Sequence, residues 1–357
     1  MNPNITIKDI GRLVGVSHST VSRALNDSPL VNAKTRERIK QVAKRLNFEF
    51  DAAARSLSSR KTGVIGVIYH SALDVFGSSL YTNQLFLDLR HELESYQLDS
   101  ILLEAYNPKT GNSNISRLIR QNKVDGFLIV HAGISREDYD LIRSTGLPVV
   151  QLHLRTAYYP LDDLDYLMTD NVAGAAIACD HLIEQGCRRI LTIAANYESE
   201  INPEFGDRVE GTMRSLESHG MSRDPALLVD VGDCSFEAGY RLVQERPELF
   251  EKVDGVFAHA DIIAFGCVSA LKERGISIPK ELKVIGFDDC TLCNLIRPAL
   301  SSVHQPREDL TRQACEHLNQ LLQHESATTP VHVVLKPWLV VRDSTRLAFA
   351  DSAAQPA

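Results

Sequence analysis

The sequence predicts a small all-α head built on a helix-turn-helix, a hinge helix, and an α/β body of two doubly wound lobes. From Thr6 to Asn26, apolar spacing indicates two short helices around a tight turn. From Thr62 onward, short apolar runs alternate with helical segments, which is typical of parallel α/β architecture. The charge is also divided: residues 1–62 hold 12 Lys and Arg against 5 Asp and Glu, whereas the remaining residues hold 26 against 41.

This charge distribution separates a basic head from an acidic body. The 357-residue chain carries a net charge of −8, but the two parts carry +7 and −15. A basic segment attached to an acidic one is the electrostatic pattern of a DNA-binding domain joined to another domain. The length also suits a small head and a larger body better than one domain.

The first helix is predicted to begin after Thr6, which can cap it. Asp9 stands in the first turn, where an acid supports the free N–H groups. Ile7, Ile10 and Leu13 recur at helical spacing and are expected to form its buried face.

A second helix follows a turn at Gly15, with Ser17 as its cap and Val21 and Leu25 directed inward. Its outward face then carries hydrogen-bonding groups and one arginine, Arg23, which can form a bidentate hydrogen bond with guanine. A helix in the DNA major groove requires such a face. An ordinary amphipathic helix pair with a solvated face is the alternative. The predicted major-groove residues are Ser17, His18, Ser19, Thr20, Ser22 and Arg23.

A third helix is predicted from Ala33, capped by Asn32, with Ile39 and Ala43 on its apolar face. Most of its charged side chains are expected to be solvated, while one or two near its start contact phosphate without reading sequence. The predicted phosphate contacts are Thr6, Asn26, Lys34 and Thr35.

The predicted boundaries are 1–50 for the helix-turn-helix domain, 51–61 for the hinge, 62–346 for the body and 347–357 for a disordered tail. Asp51 could cap the hinge helix, but two turns are marginal alone. A disordered linker without a DNA role is the alternative. The tail has no heptads, so assembly through a coiled coil is not expected.

The head resembles the LacI/GalR family of bacterial transcription regulators. TIKDIGRLVGVSHSTVSRALN follows the family string T-x-x-D-I-A-x-x-A-G-V-S-x-x-T-V-S-R-x-L-N, with Gly11 and Val14 replacing two alanines. Further landmarks extend the resemblance over roughly residues 5–346. They are VDGFLIV (124–130), GLPVVQL (146–152), DNVAGAAIACDHLIEQGCRRI (170–190), DRVEG (207–211), IPKELKVIGFDD (278–289), RPALSSVHQP (297–306) and LVVRDST (339–345).

The resemblance implies the layout of periplasmic sugar-binding proteins, two lobes with a ligand cleft between them. Apolar runs divide the body near residues 62–162 and 163–288, and the family segment that crosses back begins near SSVHQP. We therefore expect lobe one at about 62–162 and 290–322, and lobe two at about 163–289 and 323–346.

The same resemblance implies effector-binding residues at the carboxyl ends of strands. Arg208 matches an effector-bonding arginine and Asp288 an acid that takes hydroxyls or amines. This combination suits a polyhydroxyl ligand, with a surface cap or ion pair as the alternative. Asp170 matches an acid near the cleft but is equally well placed as a helix cap, and Asp261 is expected to be structural.

Two departures from the family pattern affect the cleft. Ala260 stands where family members often have a ligand-bonding asparagine, and Cys234 where an aromatic ring often stacks on the ligand. Phe236 or Tyr81 could supply a ring instead. The expected effector is therefore a small polar molecule, a sugar or sugar derivative.

In the hinge, the resemblance implies that Leu57 wedges into the minor groove and kinks the DNA. Ala54 matches the small residue at which two hinge helices approach each other. Arg55, which lies between Ala54 and Leu57 in the sequence, completes the predicted minor-groove set. Phe50 replaces a frequent proline. The family implies a homodimer on a palindromic operator, while a sugar-binding receptor or an enzyme on the same body is the alternative.

Other chemistries are not predicted. The chain lacks a G-x-x-x-x-G-K phosphate loop, a G-x-S-x-G motif and an H-E-x-x-H spacing, so neither enzymatic activity nor a cofactor is expected. Cys290-x-x-Cys293 has no second pair at metal spacing, and the seven scattered cysteines are expected to be reduced, so no metal site is predicted. No long apolar run or signal peptide is evident, and a cytoplasmic protein without membrane contact is expected.

Overall fold

The computed structural model describes residues 5–25, 28–46, 48, 61–69, 80–130, 134–153, 164–198, 203–323 and 329–346. Its contacts divide the chain into two compact units, Met1–Thr62 and Gly63–Ala357. The division falls beside the predicted start of the body at residue 62. Most of the predicted hinge, 51–60, and the predicted tail, 347–357, lie outside the described residues.

The head contains three helices: α1 (Ile7–Val14), α2 (His18–Leu25) and α3 (Ala33–Arg45). Thr6 and Asp9 form a capping box, in which the Thr6 amide donates to Asp9 Oδ2 at 3.0 Å and the Asp9 amide donates to Thr6 Oγ1 at 3.4 Å. These two bonds satisfy amides that the helix itself leaves free. They also hold the pKa of Asp9 below its usual value, because the Thr6 hydroxyl and amide hydrogen-bond the ionised carboxylate.

The three helices enclose a small apolar core. Its buried members are Ile10, Val14, Val21, Ala24, Val31, Ile39 and Ala43. The expectation for Leu13 is wrong, since its side chain is 62% exposed; the inward face of α1 is centred between Ile10, Gly11 and Val14 instead. A Cβ at Gly11 would lie 2.8 Å from the Val16 carbonyl oxygen, so glycine here permits close approach of the turn to the helix.

In the body, strands and helices alternate as predicted. The first run is β1 (Val64–Tyr69), α4 (Leu80–Ser95), β2 (Asp99–Glu104), α5 (Asn114–Arg120), β3 (Gly126–Val130), α6 (Arg136–Thr145), β4 (Val149–Leu152) and β5 (Asp165–Thr169). The second run is α7 (Asn171–Glu184), β6 (Ile190–Ala194), α8 (Pro203–Ser218), β7 (Leu228–Asp230), α9 (Phe236–Glu245), α10 (Pro247–Phe250), β8 (Gly255–Ala258), α11 (Asp261–Glu273) and β9 (Lys283–Asp288). The chain ends with β10 (Ser301–His304), α12 (Arg307–Leu322), β11 (His332–Leu335) and β12 (Trp338–Val340), and short 3-10 turns cover Pro225–Leu227 and Thr291–Asn294.

The strands form two six-stranded sheets, of order β11-β5-β4-β3-β1-β2 and β12-β10-β9-β8-β6-β7. All neighbouring strands are parallel except β10 and β12. Continuous apolar runs such as Gly126–Val130 become central strands because helices bury both faces of a parallel sheet. The predicted fold class, a helix-turn-helix head with two doubly wound α/β lobes, is confirmed for the described residues.

The predicted lobe boundaries are wrong at three strands. β5, expected in lobe two, pairs with β4 in the first sheet. β10, expected in lobe one, pairs with β9 in the second sheet. β11, expected in lobe two, pairs with β5 in the first sheet. The chain thus passes between the lobes at residues 170, 305–306 and 336–337, because pairing with a distant strand decides the sheet to which a strand belongs.

Each sheet has an apolar core on both faces. In the first lobe, α4 and α12 cover one face through Leu85 and Leu318, while α5 and α6 cover the other. In the second lobe, α9 and α11 cover one face through Val243 and Ile263, and α7 and α8 the other. Within the described ranges, no helix is both long and apolar enough to span a bilayer.

Candidate nucleic-acid interface and effector cleft

The outward face of α2 is polar over its whole length. His18, Ser19 and Arg23 are exposed, whereas Val21 and Ala24 are buried in the core of the head. Thr20 and Ser22 are half-buried at the margin, and Ser17 is exposed ahead of the helix. The predicted major-groove residues therefore share one accessible surface.

Ser17 caps α2 by accepting a hydrogen bond from the Thr20 amide at 3.2 Å. Its Oγ also lies 2.8 Å from both Ser19 Oγ and Thr20 Oγ1. These hydroxyls orient one another at the start of the helix. In contrast, Arg23 has no hydrogen-bond or ion-pair partner among the described residues, so its guanidinium is available to a ligand.

The predicted phosphate contacts lie at two helix starts. The Thr6 side chain belongs to the capping box of α1, while Lys34 is exposed and Thr35 is half-buried in the first turn of α3. The Thr35 amide donates to the Asn32 cap at 2.8 Å. The fourth residue, Asn26, lies outside the described residues, as do the hinge residues Ala54, Arg55 and Leu57.

In the body, Arg208 is a buried residue of α8, only 6% exposed. Its Nε donates to Asn171 Oδ1 at 2.8 Å, and its Nη1 donates to the His259 carbonyl oxygen. Nη1 lies 3.9 Å from Asp288 Oδ1, and the guanidinium carbon is 3.8 Å from the centroid of the Phe287 ring. Arg208 is thus oriented by four neighbours from α7, β9 and the end of β8.

Asp288 ends β9 with φ at 123°, in the region that side chains rarely adopt. Its Oδ1 accepts a hydrogen bond from Gln305 Nε2 at 2.7 Å. Gln305 is 3% exposed, and its Oε1 has no hydrogen-bond partner in the described part of the chain. An unusual backbone conformation and a spare buried acceptor at one place are typical of a ligand site.

Tyr81 is the candidate effector-binding residue of the first lobe, in α4. Its hydroxyl lies 2.8 Å from His153 Nε2, and its ring meets the His153 ring edge-on at 5.3 Å. Burial, followed by the negative charge of Asp288, raises the pKa of Tyr81 well above its usual value. Tyr81 lies in α4 of the first lobe, whereas Asp288 lies at the end of β9 in the second.

Cys234 and Phe236 differ in their surroundings. Burial, and then the charge of Asp288, raises the pKa of Cys234 to about 12, so this thiol is neutral beside the cleft. The Phe236 ring stacks on Tyr240 at 6.1 Å and packs against the core of the second lobe. These contacts favour a packing role for Phe236.

Ala260 and Asp170 occupy helix starts. Ala260 is buried at the cap position of α11 and offers only a methyl group. Asp170 Oδ1 accepts a hydrogen bond from the Ala173 amide at 2.9 Å, and this geometry favours its reading as the cap of α7.

Sequence reasoning missed Asn171, His259, Gln305 and Phe287. His259 Nε2 lies 3.2 Å from Thr212 Oγ1, while its Nδ1 has no hydrogen-bond partner within the described ranges. Burial, and then the charge of Arg208, holds the pKa of His259 well below its usual value. Their positions in the sequence could have indicated the three polar residues. Asn171, His259 and Gln305 each lie one or two residues after the end of a strand, where ligands bind in α/β lobes.

These candidate residues combine a guanidinium held by its neighbours, a carboxylate, an imidazole whose charged form burial opposes, and a carboxamide whose oxygen has no hydrogen-bond partner among the described residues. Such a set offers paired donors and acceptors, as a polyhydroxyl ligand requires.

Two family models match the chain. The model for bacterial regulatory proteins of the lacI family matches residues 6–50, and that for a periplasmic binding protein-like domain matches residues 179–345. The HTH-type transcriptional regulator CelR of Thermobifida fusca is 30% identical over 347 residues, covering 95% of this chain and 98% of that protein. Catabolite control protein A of Priestia megaterium is 27% identical over 343 residues, covering 96% and 100%.

Solved structures agree with this relationship. The complex of the transcriptional regulator CelR with cellobiose has a TM-score of 0.69 at 27% identity, covering 95% of this chain and 99% of that one. The lac repressor dimer bound to operator and the anti-inducer ONPF has a TM-score of 0.77 at 21% identity, covering 96% and 99%, and is similar in fold. The chain therefore belongs to the lacI family of bacterial regulatory proteins, which are transcriptional regulators rather than enzymes.

Proposed function

We propose that this regulator is a repressor that binds a palindromic operator as a homodimer in the bacterial cytoplasm. The observation that carries the proposal is the polar outer face of α2, on which Arg23 is exposed and has no partner among the described residues, in a segment (1–62) of net charge +7. Arg23 would read guanine, the neighbouring hydroxyls and His18 would contact base edges, and Lys34 would contact phosphate. Leu57 would bend the operator from the minor groove.

The proposed effector is a small polyhydroxyl molecule, a sugar or sugar derivative, bound between the lobes. Arg208 and Asp288 would pair with its hydroxyls, and Gln305 would use its spare Oε1. CelR, a relative at 27% identity, is solved with cellobiose. Because Cys234 and Ala260 supply neither a ring nor an amide, the ligand need not be the same sugar.

The proposed regulation couples two equilibria. An effector that prefers one arrangement of the lobes changes operator affinity by the ratio of its affinities for the two arrangements. The site is consistent with an effector that lowers operator affinity and with one that raises it, so the effector acts as an inducer or as a co-repressor. Titration of sugars against a fixed operator complex distinguishes them, because an inducer weakens the complex and a co-repressor strengthens it.

The proposed dimer surface lies on α4 and β2 in the first lobe. β2 is an edge strand, and Leu87 and Leu102 are both 46% exposed beside Phe86. An apolar surface along a free strand edge is a liability unless a partner covers it. Leu87→Asp should therefore convert dimer to monomer in sedimentation velocity, whereas Val334→Asp, on the opposite edge of the same sheet, should not.

The first experiment is selection of bound sequences from a random DNA library at moderate salt. Enrichment of a palindrome with a flexible central step supports the repressor proposal. Salt-sensitive binding without enrichment contradicts base reading by α2 in the unliganded protein, and a repeat with a sugar panel tests a co-repressor requirement. Absence of all binding favours the alternative, a sugar-binding receptor without a DNA role.

A further inference from the structure

The end of β9 leads into a compact group of side chains outside the cleft set: Asp261, Cys290 and Cys293. Cys290 precedes the 3-10 turn Thr291–Asn294, Cys293 lies within it, and Asp261 begins α11. The Cys293 thiol donates to Asp261 Oδ2 at 3.1 Å, and the Cys290 amide donates to the same oxygen at 2.8 Å. The potential ligand atoms of all three lie within 4.8 Å of one another.

The group is enclosed by protein. The exposed fractions are 1% for Asp261, 7% for Cys290 and 0% for Cys293. Inside this enclosed space the two sulfur atoms lie within 4.8 Å of one another. Within the described ranges, no other set of three His, Cys, Asp or Glu side chains converges in this way.

The carboxylate of Asp261 is held in place from its other side. Ser302 Oγ donates to Oδ1 at 2.6 Å, which leaves Oδ2 directed at the two cysteines. A Cβ at position 286 would lie 2.2 Å from Oδ1, so Gly286 provides the space for this carboxylate. Outer hydrogen bonds that orient a ligand oxygen are a regular feature of metal sites.

We propose that Asp261, Cys290 and Cys293 bind one thiophilic divalent cation, with Zn²⁺ as the representative ion. Bonds of about 2.3 Å to sulfur and about 2.0–2.2 Å to oxygen place tetrahedral ligand atoms roughly 3.3–3.8 Å apart. The 3.1 Å between Cys293 Sγ and Asp261 Oδ2 and the 4.8 Å limit for the group bracket this spacing.

On binding, two metal–sulfur bonds and one metal–oxygen bond form. Both thiol protons pass to solvent, and the hydrogen bond from Cys293 to Asp261 is replaced by coordination. The three protein ligands carry a charge of −3 against +2 on the ion, and a fourth position stays open to water or a small ligand. The inference is independent of DNA and effector binding.

The test uses the full chain, reduced with a phosphine, treated with a chelator and then freed of it. Co²⁺ serves as the spectroscopic probe, and Zn²⁺ uptake is counted by native mass spectrometry. We expect one ion per chain and a thiolate-to-cobalt charge-transfer band that Zn²⁺ removes. Cys290→Ser and Cys293→Ser should each weaken binding by more than about tenfold, the lower limit for losing even an outer-layer partner.

Cys267→Ser is the matched control, because Cys267 is a fully buried thiol of the same lobe outside the group. Its binding should equal that of the parent chain. The proposal is overturned if the reduced, folded protein takes up neither ion, or if both cysteine variants bind as tightly as the control.

A second measurement needs no variant and covers the case in which a substitution prevents folding. Zinc K-edge X-ray absorption of the parent complex should show two sulfur neighbours at about 2.3 Å together with oxygen. A spectrum with only nitrogen and oxygen neighbours would place the ion elsewhere and refute the site.

Discussion

The guanidinium carbon of Arg208 lies 3.8 Å from the centroid of the Phe287 ring, and the residue after that ring, Asp288, approaches the same guanidinium at 3.9 Å. One strand end therefore supplies both an aromatic face and a carboxylate to a single buried cation. The planar group can satisfy both at once because its face meets the ring while its edge meets oxygen.

Arg208→Lys should lower the affinity for the effector at least tenfold and the free energy of unfolding by about 1–3 kcal/mol. Lysine cannot donate to Asn171 and the His259 carbonyl from two fixed nitrogens while lying over Phe287. Urea unfolding gives the stability, and titration with a sugar identified by screening gives the affinity. Arg214→Lys is the control, since this exposed residue of the same helix pairs with Glu210 on the helix surface. Equal effector affinity in both variants would remove Arg208 from the site.

Arg23→Ala should reduce affinity for the selected operator by about 1–3 kcal/mol, with much less effect on random DNA. Arg12→Ala, on the preceding helix and paired with Asp9, should change operator affinity little. Fluorescence anisotropy at fixed salt measures both. An equal loss on operator and on random DNA would show that Arg23 contacts phosphate instead of bases.

Lys34→Ala should weaken binding to all sequences alike and reduce the salt slope of the binding constant by about 1. The reason is that a phosphate contact releases a counterion and carries no sequence information. Affinities at several salt concentrations provide the slope. A variant with unchanged slope but altered base preference would contradict the assignment.

His259 should make the stability of the body depend on pH. Its folded pKa lies well below the usual value of 6.5, because burial and the nearby Arg208 oppose its charge. Below about pH 6.5 the unfolded chain binds the additional proton, so the free energy of unfolding rises with pH in this window. The contribution of neutral His259 to the free energy of unfolding is fully present above about pH 6.5 and is lost progressively as the pH falls below this value.

Urea unfolding between about pH 8 and about pH 5.5 measures this dependence. His259→Gln should show a shallower slope than the parent chain, whereas His91→Gln, at an exposed position of α4, should retain the parent slope. Identical slopes in the parent and the His259 variant would exclude this imidazole as the source.

Gly286→Ala should lower the free energy of unfolding by about 1–3 kcal/mol, in the range of overpacked cores. The added methyl group would meet Asp261 Oδ1 at 2.2 Å and displace a carboxylate that accepts bonds from Ser302 and the Cys290 amide. Differential scanning calorimetry measures the change. An unchanged unfolding temperature would mean that α11, which begins with Asp261, moves aside at no cost and would contradict the prediction.

Local features were predictable from the sequence because their partners are three or four residues apart. The caps at Thr6, Ser17 and Asn32 belong to this class, and all three hydrogen bonds are present. Leu13 is an exception: its spacing predicts burial, but the packing of α1 against α2 and α3 leaves its side chain exposed.

Non-local features were not predictable in the same way. The family resemblance points to Arg208 and Asp288, but the bonds of Arg208 to Asn171 and His259 join residues 37 and 51 positions apart. The pairing of β5, β10 and β11 likewise depends on strands far along the chain. Asp261 completes the cysteine group from 32 positions away from Cys293, a separation that no short motif reveals.

β11 and β12 both come from residues 332–340, yet each forms the outer edge of a different sheet. During synthesis, almost the whole body must therefore leave the ribosome before either sheet is closed at that side. Until then β5 and β10 present unpaired backbone groups to their surroundings, which is the condition that invites intermolecular strand pairing. A nascent chain halted before residue 331 therefore leaves one open edge on each sheet.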